Sequence, residues 1–81
     1  MVVSIDYLSR YAALSGRSGI DAYEIRDRSI IVRFKHAGAY VYSYDMPGAD
    51  EVEEMKRLAI AGKDLSTYIS RNVRRRYAKK L

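Results

Sequence analysis

The stretch that decides the fold, residues 29–44, reads Ser-Ile-Ile-Val-Arg-Phe-Lys-His-Ala-Gly-Ala-Tyr-Val-Tyr-Ser-Tyr. Apolar and polar residues alternate on both sides of one glycine, which is typical of a β-hairpin. Because strand side chains alternate between two faces, Ile30, Val32 and Phe34 share one face, and three tyrosines share one face of the next strand. The stretch therefore predicts two antiparallel strands that each carry a row of large side chains.

The turn decides whether the two rows point the same way. A three-residue loop at 36–38 would give Gly38 a left-handed conformation, which costs little only without a Cβ. Lys35 then pairs with Ala39, both rows form one apolar face, and Tyr42 is mostly buried. A one-residue slip would instead expose the tyrosines beside basic residues as a surface that stacks on bases. We favour the covered face.

Length and composition limit the class of protein. Eighty-one residues make one domain whose core is too small for a deep catalytic cleft. The absence of cysteine excludes a disulfide framework and a thiolate zinc site. The first residues lack the pattern of an export signal, and no stretch reaches membrane-spanning length. We therefore expect a cytoplasmic protein with no membrane association and no cofactor.

The segments around the hairpin predict an α+β fold. Ser4 can cap a short N-terminal helix that ends at Gly16. Residues 20–25 have the pattern of a strand, and a four-residue turn at 26–29 pairs Ile25 with the first apolar residue of the hairpin. The prediction is an N-terminal helix, a three-stranded antiparallel β-meander and two helices packed on one face of the sheet.

The two helices follow the sheet. Pro47 suits the first turn of a helix, and Gly62 is a natural stop for it. Asp64 can cap the last helix. The predicted buried stripe of that last helix consists of Leu65, Tyr68, Ile69, Val73 and Tyr77.

Positive charge is concentrated at the end of the chain. Residues 1–64 hold nine basic and ten acidic residues, whereas residues 65–81 hold six basic residues and no acid. Arginine forks match phosphate geometry, and clustered cations create a strong positive field. The alternative to a binding site is a solvated helix end, where the helix dipole also favours cations. The predicted nucleic-acid-binding residues are Arg71, Arg74, Arg75, Arg76, Lys79 and Lys80, with Arg33 and Lys35 nearby.

Other constellations favour structural roles. The single histidine, His36, lies at a hairpin tip without a partner suited to metal or triad chemistry. The acidic residues at 50–54 stand where helix N-termini prefer negative charge. We therefore predict no enzyme and no metal site. A helix-turn-helix across Gly62 is disfavoured because its spacing would require Arg71 to be buried.

Several short motifs, in this order, resemble the KTSC domain family. They are Ser18-Gly19-Ile20, the strand at 30–34, the glycine turn, a Tyr-x-Tyr pair, a proline that opens a helix, Gly62, and Tyr-Ile-Ser-Arg-Asn-Val-Arg-Arg-Arg-Tyr at 68–77. The pair is either Tyr40 and Tyr42 or Tyr42 and Tyr44, and a methionine precedes Pro47 where the family usually has valine.

This resemblance implies a division of the chain into an N-terminal extension at 1–17, a KTSC-like α+β domain at 18–77 and a basic tail at 78–81. The family is named for the C-terminus of some lysyl-tRNA synthetases and also occurs as small stand-alone bacterial and phage proteins. RNA binding is the role suggested for it.

Charge and resemblance together predict a small nucleic-acid-binding module that favours RNA over DNA and uses a basic C-terminal helix. The alternative is a protein-interaction or self-associating module with no nucleic-acid role. It is motivated by apolar residues expected outside the core, namely Val2, Val3, Ile31 and Val41. The expected partners are therefore RNA or DNA, or else a protein partner or a second copy of the chain.

Overall fold

The computed structural model describes residues 9–10 and 19–81. They form an α+β fold in which one antiparallel sheet carries two helices. The strands are β1 (Ser9–Arg10), β2 (Ile20–Arg26), β3 (Ser29–Phe34), β4 (Gly38–Ser43) and β5 (Lys79–Lys80), in the sheet order β1-β2-β3-β4-β5. Helix α1 is Ala49–Ala61, and helix α2 is Leu65–Tyr68, which continues directly as a π-helical segment, Ile69–Val73.

The sheet is larger than the predicted three-stranded meander, because a two-residue strand is added at each edge. In β1, Ser9 pairs with Tyr23 and Arg10 with Ala22, so these two residues are extended and the helix predicted there is wrong. The other residues of that predicted helix lie outside the described residues. Pairing at both edges satisfies backbone hydrogen-bonding groups of the edge strands. The spacing of apolar residues in the sequence does not reveal this requirement.

The register between β3 and β4 differs from the predicted one by two residues. Ile30 pairs with Tyr42 and Phe34 pairs with Gly38, so the loop is at 35–37. Because strand faces repeat every two residues, a shift of two keeps both apolar rows on the same face. Gly38 has a φ of 84°, the left-handed conformation that its lack of a Cβ allows.

The register between β2 and β3 is the predicted one from Ala22 to Arg26, and a bulge between Ile20 and Ala22 shifts the pairing of Ile20 to Phe34. Ile25 pairs with Ile30, and the pairing of Arg26 with Ser29 tightens the turn to two residues. Tyr23 packs against the core on the same face, whereas Ile25 is 39% exposed.

The core lies between this face of the sheet and both helices. Ile30, Val32 and Tyr42 from the sheet are at most 2% exposed, and Val52 and Met55 of α1 are fully buried against them. The remaining core residues are Ile20, Leu58, Ala59, Leu65, Ile69 and Val73. The prediction that Tyr42 is buried is confirmed.

Helix α1 ends as the sequence predicts. Gly62 has a φ of 70°, and its backbone N–H donates to the carbonyls of Leu58 and Ala59, while the N–H of Lys63 donates to Leu58. This is a Schellman arrangement, which satisfies carbonyls at a helix end. Pro47 lies before the helix rather than in its first turn, since the helix begins at Ala49.

Candidate nucleic-acid interface

The predicted basic C-terminal helix ends before most of its cations. The π-helical segment stops at Val73, and Arg74 has φ 55° and ψ −119°. The N–H of Arg76 donates to the carbonyl of Val73 at 3.1 Å, which closes a four-residue turn. These angles match the first central residue of a type II′ turn, a position that favours glycine. The prediction that Arg74, Arg75 and Arg76 lie on a helix is therefore wrong.

The last residues return to the sheet rather than forming a separate basic tail. Lys79 pairs with Val41 and Lys80 pairs with Tyr40. The N–H of Ala78 donates to the carbonyl of Val41 at 2.8 Å. β4 would otherwise be an edge strand with unpaired backbone groups, so this pairing gives the end of the chain a fixed course.

A pocket of about 380 Å³ opens between this returning segment and the end of the β3–β4 hairpin. Aromatic rings make up much of its lining, and Ile69 and the turn at Arg74 and Arg75 form another part of it. The lining residues are Phe34, Ala37, Tyr40, Tyr42, Ile69, Arg74, Arg75 and Tyr77.

The rings of the pocket contact one another. The centroids of Tyr40 and Tyr77 are 4.6 Å apart with the rings tilted by 54°. Phe34 meets Tyr40 edge to face at 5.7 Å, and Tyr42 meets Tyr77 edge to face at 6.5 Å. Such geometries stabilise aromatic clusters beyond the burial of their area. Tyr42 is buried, whereas Phe34, Tyr40 and Tyr77 are half-buried.

Three of the predicted cations belong to this site. Arg74 and Arg75 line the pocket, and both residues are exposed. Lys80 places its Nζ 5.7 Å from the ring centroid of Tyr40, within cation–π range. The fold thus brings positive charge to an aromatic surface that the sequence pattern assigned to the core.

Two predicted cations are engaged in ion pairs elsewhere. Arg33 binds Asp21, with Nη2 at 2.8 Å and Nε at 3.0 Å from Oδ2. Arg76 lies 3.6 Å from Glu51 at the start of α1 and also donates to the carbonyl of Asn72. Both guanidinium groups therefore bind carboxylates, and neither residue lines the pocket.

The other three cations also lie apart from the pocket lining. Lys79 pairs with Val41, so it projects from the sheet face opposite Tyr40. Lys35 lies in the β3–β4 turn, and its backbone N–H donates to the carbonyl of Gly19 at 2.8 Å. Arg71 is exposed on the π-helical segment, so it lacks the burial that a helix-turn-helix would require.

Burial alters the acidity of one pocket residue. Loss of solvent around Tyr42 raises the pKa of its hydroxyl to about 12, and the neighbouring Tyr40 and Tyr77 add to the shift. This phenol therefore stays neutral in the physiological range, where it presents a polar edge without charge.

Sequence reasoning missed Phe34, Tyr40 and Tyr77 as one surface together with Arg74 and Arg75. The available signal was the position of Tyr77 directly after the three arginines, since interleaved aromatic and basic residues are typical of nucleic-acid-binding surfaces. Assignment of Tyr77 to a helical stripe concealed that signal.

The opposite sheet face corrects one expectation. Ile31 is 4% exposed and Ala22 is 1% exposed, although neither belongs to the core under the helices. Ile31 is thus buried within the single chain. The expected exposure of Ile31, which supported the interaction alternative, is wrong.

Comparison with known proteins gives no relative: no family model, no curated protein and no solved structure matches the chain. Across residues 9–10 and 19–81, none of the helices has the length and apolar character needed to cross a bilayer. In the same part of the chain, no three acidic or histidine side chains come together as a metal-binding group.

Proposed function

We propose that this protein is a small nucleic-acid-binding module that favours RNA over DNA. The observation that carries the proposal is the pocket itself, in which Arg74 and Arg75 stand beside half-buried aromatic rings. Aromatic faces stack on bases, and guanidinium forks bind phosphates in two-pronged contacts. The resemblance to the KTSC domain, for which RNA binding is suggested, adds support.

The charge distribution favours three residues as the phosphate contacts. Arg74, Arg75 and Lys80 are exposed beside the rings, whereas the charges of Arg33 and Arg76 are partly compensated by Asp21 and Glu51. Binding through three cations releases counterions, so affinity for a single strand should fall with salt with a log–log slope of about −2.

Fluorescence anisotropy with labelled RNA and DNA, titrated at several salt concentrations, tests the proposal. Substitution of Arg74 and Arg75 by Ser should lower affinity and reduce the slope to about −0.7, since one cation remains. The matched control replaces Arg28 and Lys63 by Ser, which removes the same charge from exposed residues that do not line the pocket. No binding by the parent protein at low salt would refute the proposal, and equal losses in the two variants would place the binding site away from the pocket.

A protein-interaction or self-associating module is the alternative. Val2 and Val3, which also supported it, lie outside the described residues, and Val41 is half-buried. Further support comes from Ile60, which is 70% exposed on α1. Sedimentation at two concentrations tests it: a shift to a dimer that Ile60→Lys abolishes would favour the alternative, and a monomer at both concentrations would count against self-association.

A further inference from the structure

We propose that the pocket accommodates one unstacked base of single-stranded RNA, with an adjoining phosphate bound by Arg74 and Arg75. This inference rests on the proposed function and narrows it. It assigns the ligand as a single strand rather than a duplex, and it gives the aromatic rings a share in binding as well as in folding.

The size of the pocket suits one base. Small-molecule sites in proteins run from about 300 to 1,000 Å³, and a pocket of about 380 Å³ lies at the low end. Its aromatic lining offers π-faces, which stack on any base and give little sequence preference. A base within a duplex is paired and stacked on both sides, so it cannot enter such a pocket without being extruded.

The cations are placed for one strand. A duplex presents two phosphate chains, and a protein that follows both needs a broad basic surface. Here Lys79 projects from the sheet face opposite the pocket, and the charge of Arg76 is shared with Glu51. Arg74, Arg75 and Lys80 remain beside the rings, where they can bind the phosphates that flank one unstacked base.

The backbone at Arg74 is a second observation that points to a binding role. A positive φ in a non-glycine residue is strained, and such residues concentrate at functional sites. Glycine would adopt this turn without strain. Arginine at this position places a cation at the pocket instead.

Tyr77 is the residue that best separates stacking from folding. It lies outside the regular elements, is half-buried, and contacts both Tyr40 and Tyr42. Tyr77→Leu retains apolar bulk but removes the π-face, and Tyr77→Phe restores that face without the hydroxyl. If the ring had only a structural role, the Leu and Phe variants would bind RNA with equal affinity as long as both are folded.

The experiment measures binding of one labelled octamer as single-stranded RNA, as an RNA duplex with its complement and as single-stranded DNA. We expect single-stranded RNA to bind at least about tenfold more tightly than the duplex, and Tyr77→Leu to lose about tenfold while Tyr77→Phe binds like the parent. Circular dichroism melting establishes that each variant is folded. If Tyr77→Leu does not fold, Arg74→Gly, which relieves strain and removes one cation, should be folded and bind the single strand several-fold more weakly.

Each outcome has a distinct meaning. Equal affinity for duplex and single strand, unchanged binding by folded Tyr77→Leu, or parental binding by Arg74→Gly would overturn the pocket assignment while nucleic-acid binding stands. Single-stranded DNA that binds as tightly as RNA would support the pocket and overturn only the preference for RNA. Absence of binding to all three probes would overturn the proposed function and the pocket together.

Discussion

The apolar face of the sheet has two halves that differ in how completely the helices cover them. In the closed half, Ile30 and Tyr42 belong to the core beneath the helices and are at most 2% exposed, and the ring of Tyr42 also borders the pocket. In the open half, Phe34, Tyr40 and Tyr77 are half-buried around the pocket. β3 and β4 supply both halves, and the returning segment adds Tyr77 to the open half, so the difference comes from where the covering helices stop.

This comparison shows how one hairpin can supply both a core and an open aromatic surface. α1 packs on β3 and β4 with a continuous apolar stripe, which excludes water from the closed half. The second helix ends at Val73, where the turn at Arg74 directs the chain back to the sheet edge. The open half therefore retains aromatic faces that a longer helix would have covered.

The largest expected effect is a loss of stability from a cavity in the closed half. Tyr42→Ala removes a large buried ring and leaves a cavity, so it should lower the free energy of unfolding by about 3 to 5 kcal/mol. That loss would unfold most of a domain of marginal stability. Urea denaturation followed by circular dichroism measures it, with Tyr42→Phe as the control that should cost about 1 kcal/mol or less. A Tyr42→Ala protein that melts like the parent would contradict the packing.

Alkaline pH should weaken the closed half next most strongly. The pKa of the Tyr42 hydroxyl is raised to about 12 in the folded protein, against about 10 in an unfolded chain. Its stabilising contribution is therefore complete below about pH 10 and lost as pH rises through about 12, a loss of about 2 to 3 kcal/mol.

Urea denaturation at about pH 8 and about pH 11 measures the first part of this loss, about 1.4 kcal/mol, and comparison with Tyr42→Phe isolates it from other groups that titrate there. The phenylalanine variant lacks the hydroxyl and should lose less stability over the same range. Parallel losses in the two proteins would show that burial of Tyr42 does not control the alkaline response.

Arg74→Gly should sharpen the comparison, because it should raise the stability of the protein while it weakens RNA binding. Relief of the positive φ should outweigh the greater flexibility of unfolded glycine and stabilise the protein by about 1 kcal/mol. Thermal melting and RNA titration of the same preparation should show a higher midpoint with weaker binding. A lower midpoint would indicate that the arginine side chain stabilises the turn.

The smallest effect is expected at the polar contacts that border the closed half. The Tyr44 hydroxyl donates to Glu53 at 2.7 Å, and the Lys56 ammonium contacts Glu53 and the carbonyl of Asp27, both at 2.9 Å. Tyr44 is 37% exposed, and exposed pairs of this kind contribute little. Tyr44→Phe should therefore lower the melting midpoint only slightly and leave RNA affinity unchanged. A loss comparable to that of Tyr42→Ala would show that Tyr44 belongs to the core.

Some of these features were readable from the residues alone. Alternation in β3 and β4 identified the hairpin, and the spacing of Val52, Met55 and Leu58 identified α1 together with its stop at Gly62. The burial of Tyr42 followed from placing both rows on one face. The two-residue error in register left this result intact because the period of a strand is two.

The site was less accessible to the same reasoning. The basic residues stood out by charge, but a helical stripe that included Tyr77 extended the last helix past its true end. Nothing local marks Arg74 as a turn, since arginine is a good helix former and glycine is the usual choice at its position. Pairing of Lys79 and Lys80 with β4 joins residues about 40 apart in the chain, which local patterns do not report.

The sequence by itself determined the α+β class, the central hairpin, the first long helix and the concentration of positive charge near the end of the chain. These depend on periodicity, turn chemistry and composition, which act over a few neighbouring residues. Tertiary structure alone decided that the last helix stops at Val73, that the chain then pairs with β4, and that Arg74 and Arg75 stand beside Tyr40 and Tyr77. The free edge of β4 exists only once the sheet has assembled, and so does the limited apolar area that the helices can cover. The course of the last residues therefore depends on the assembled sheet.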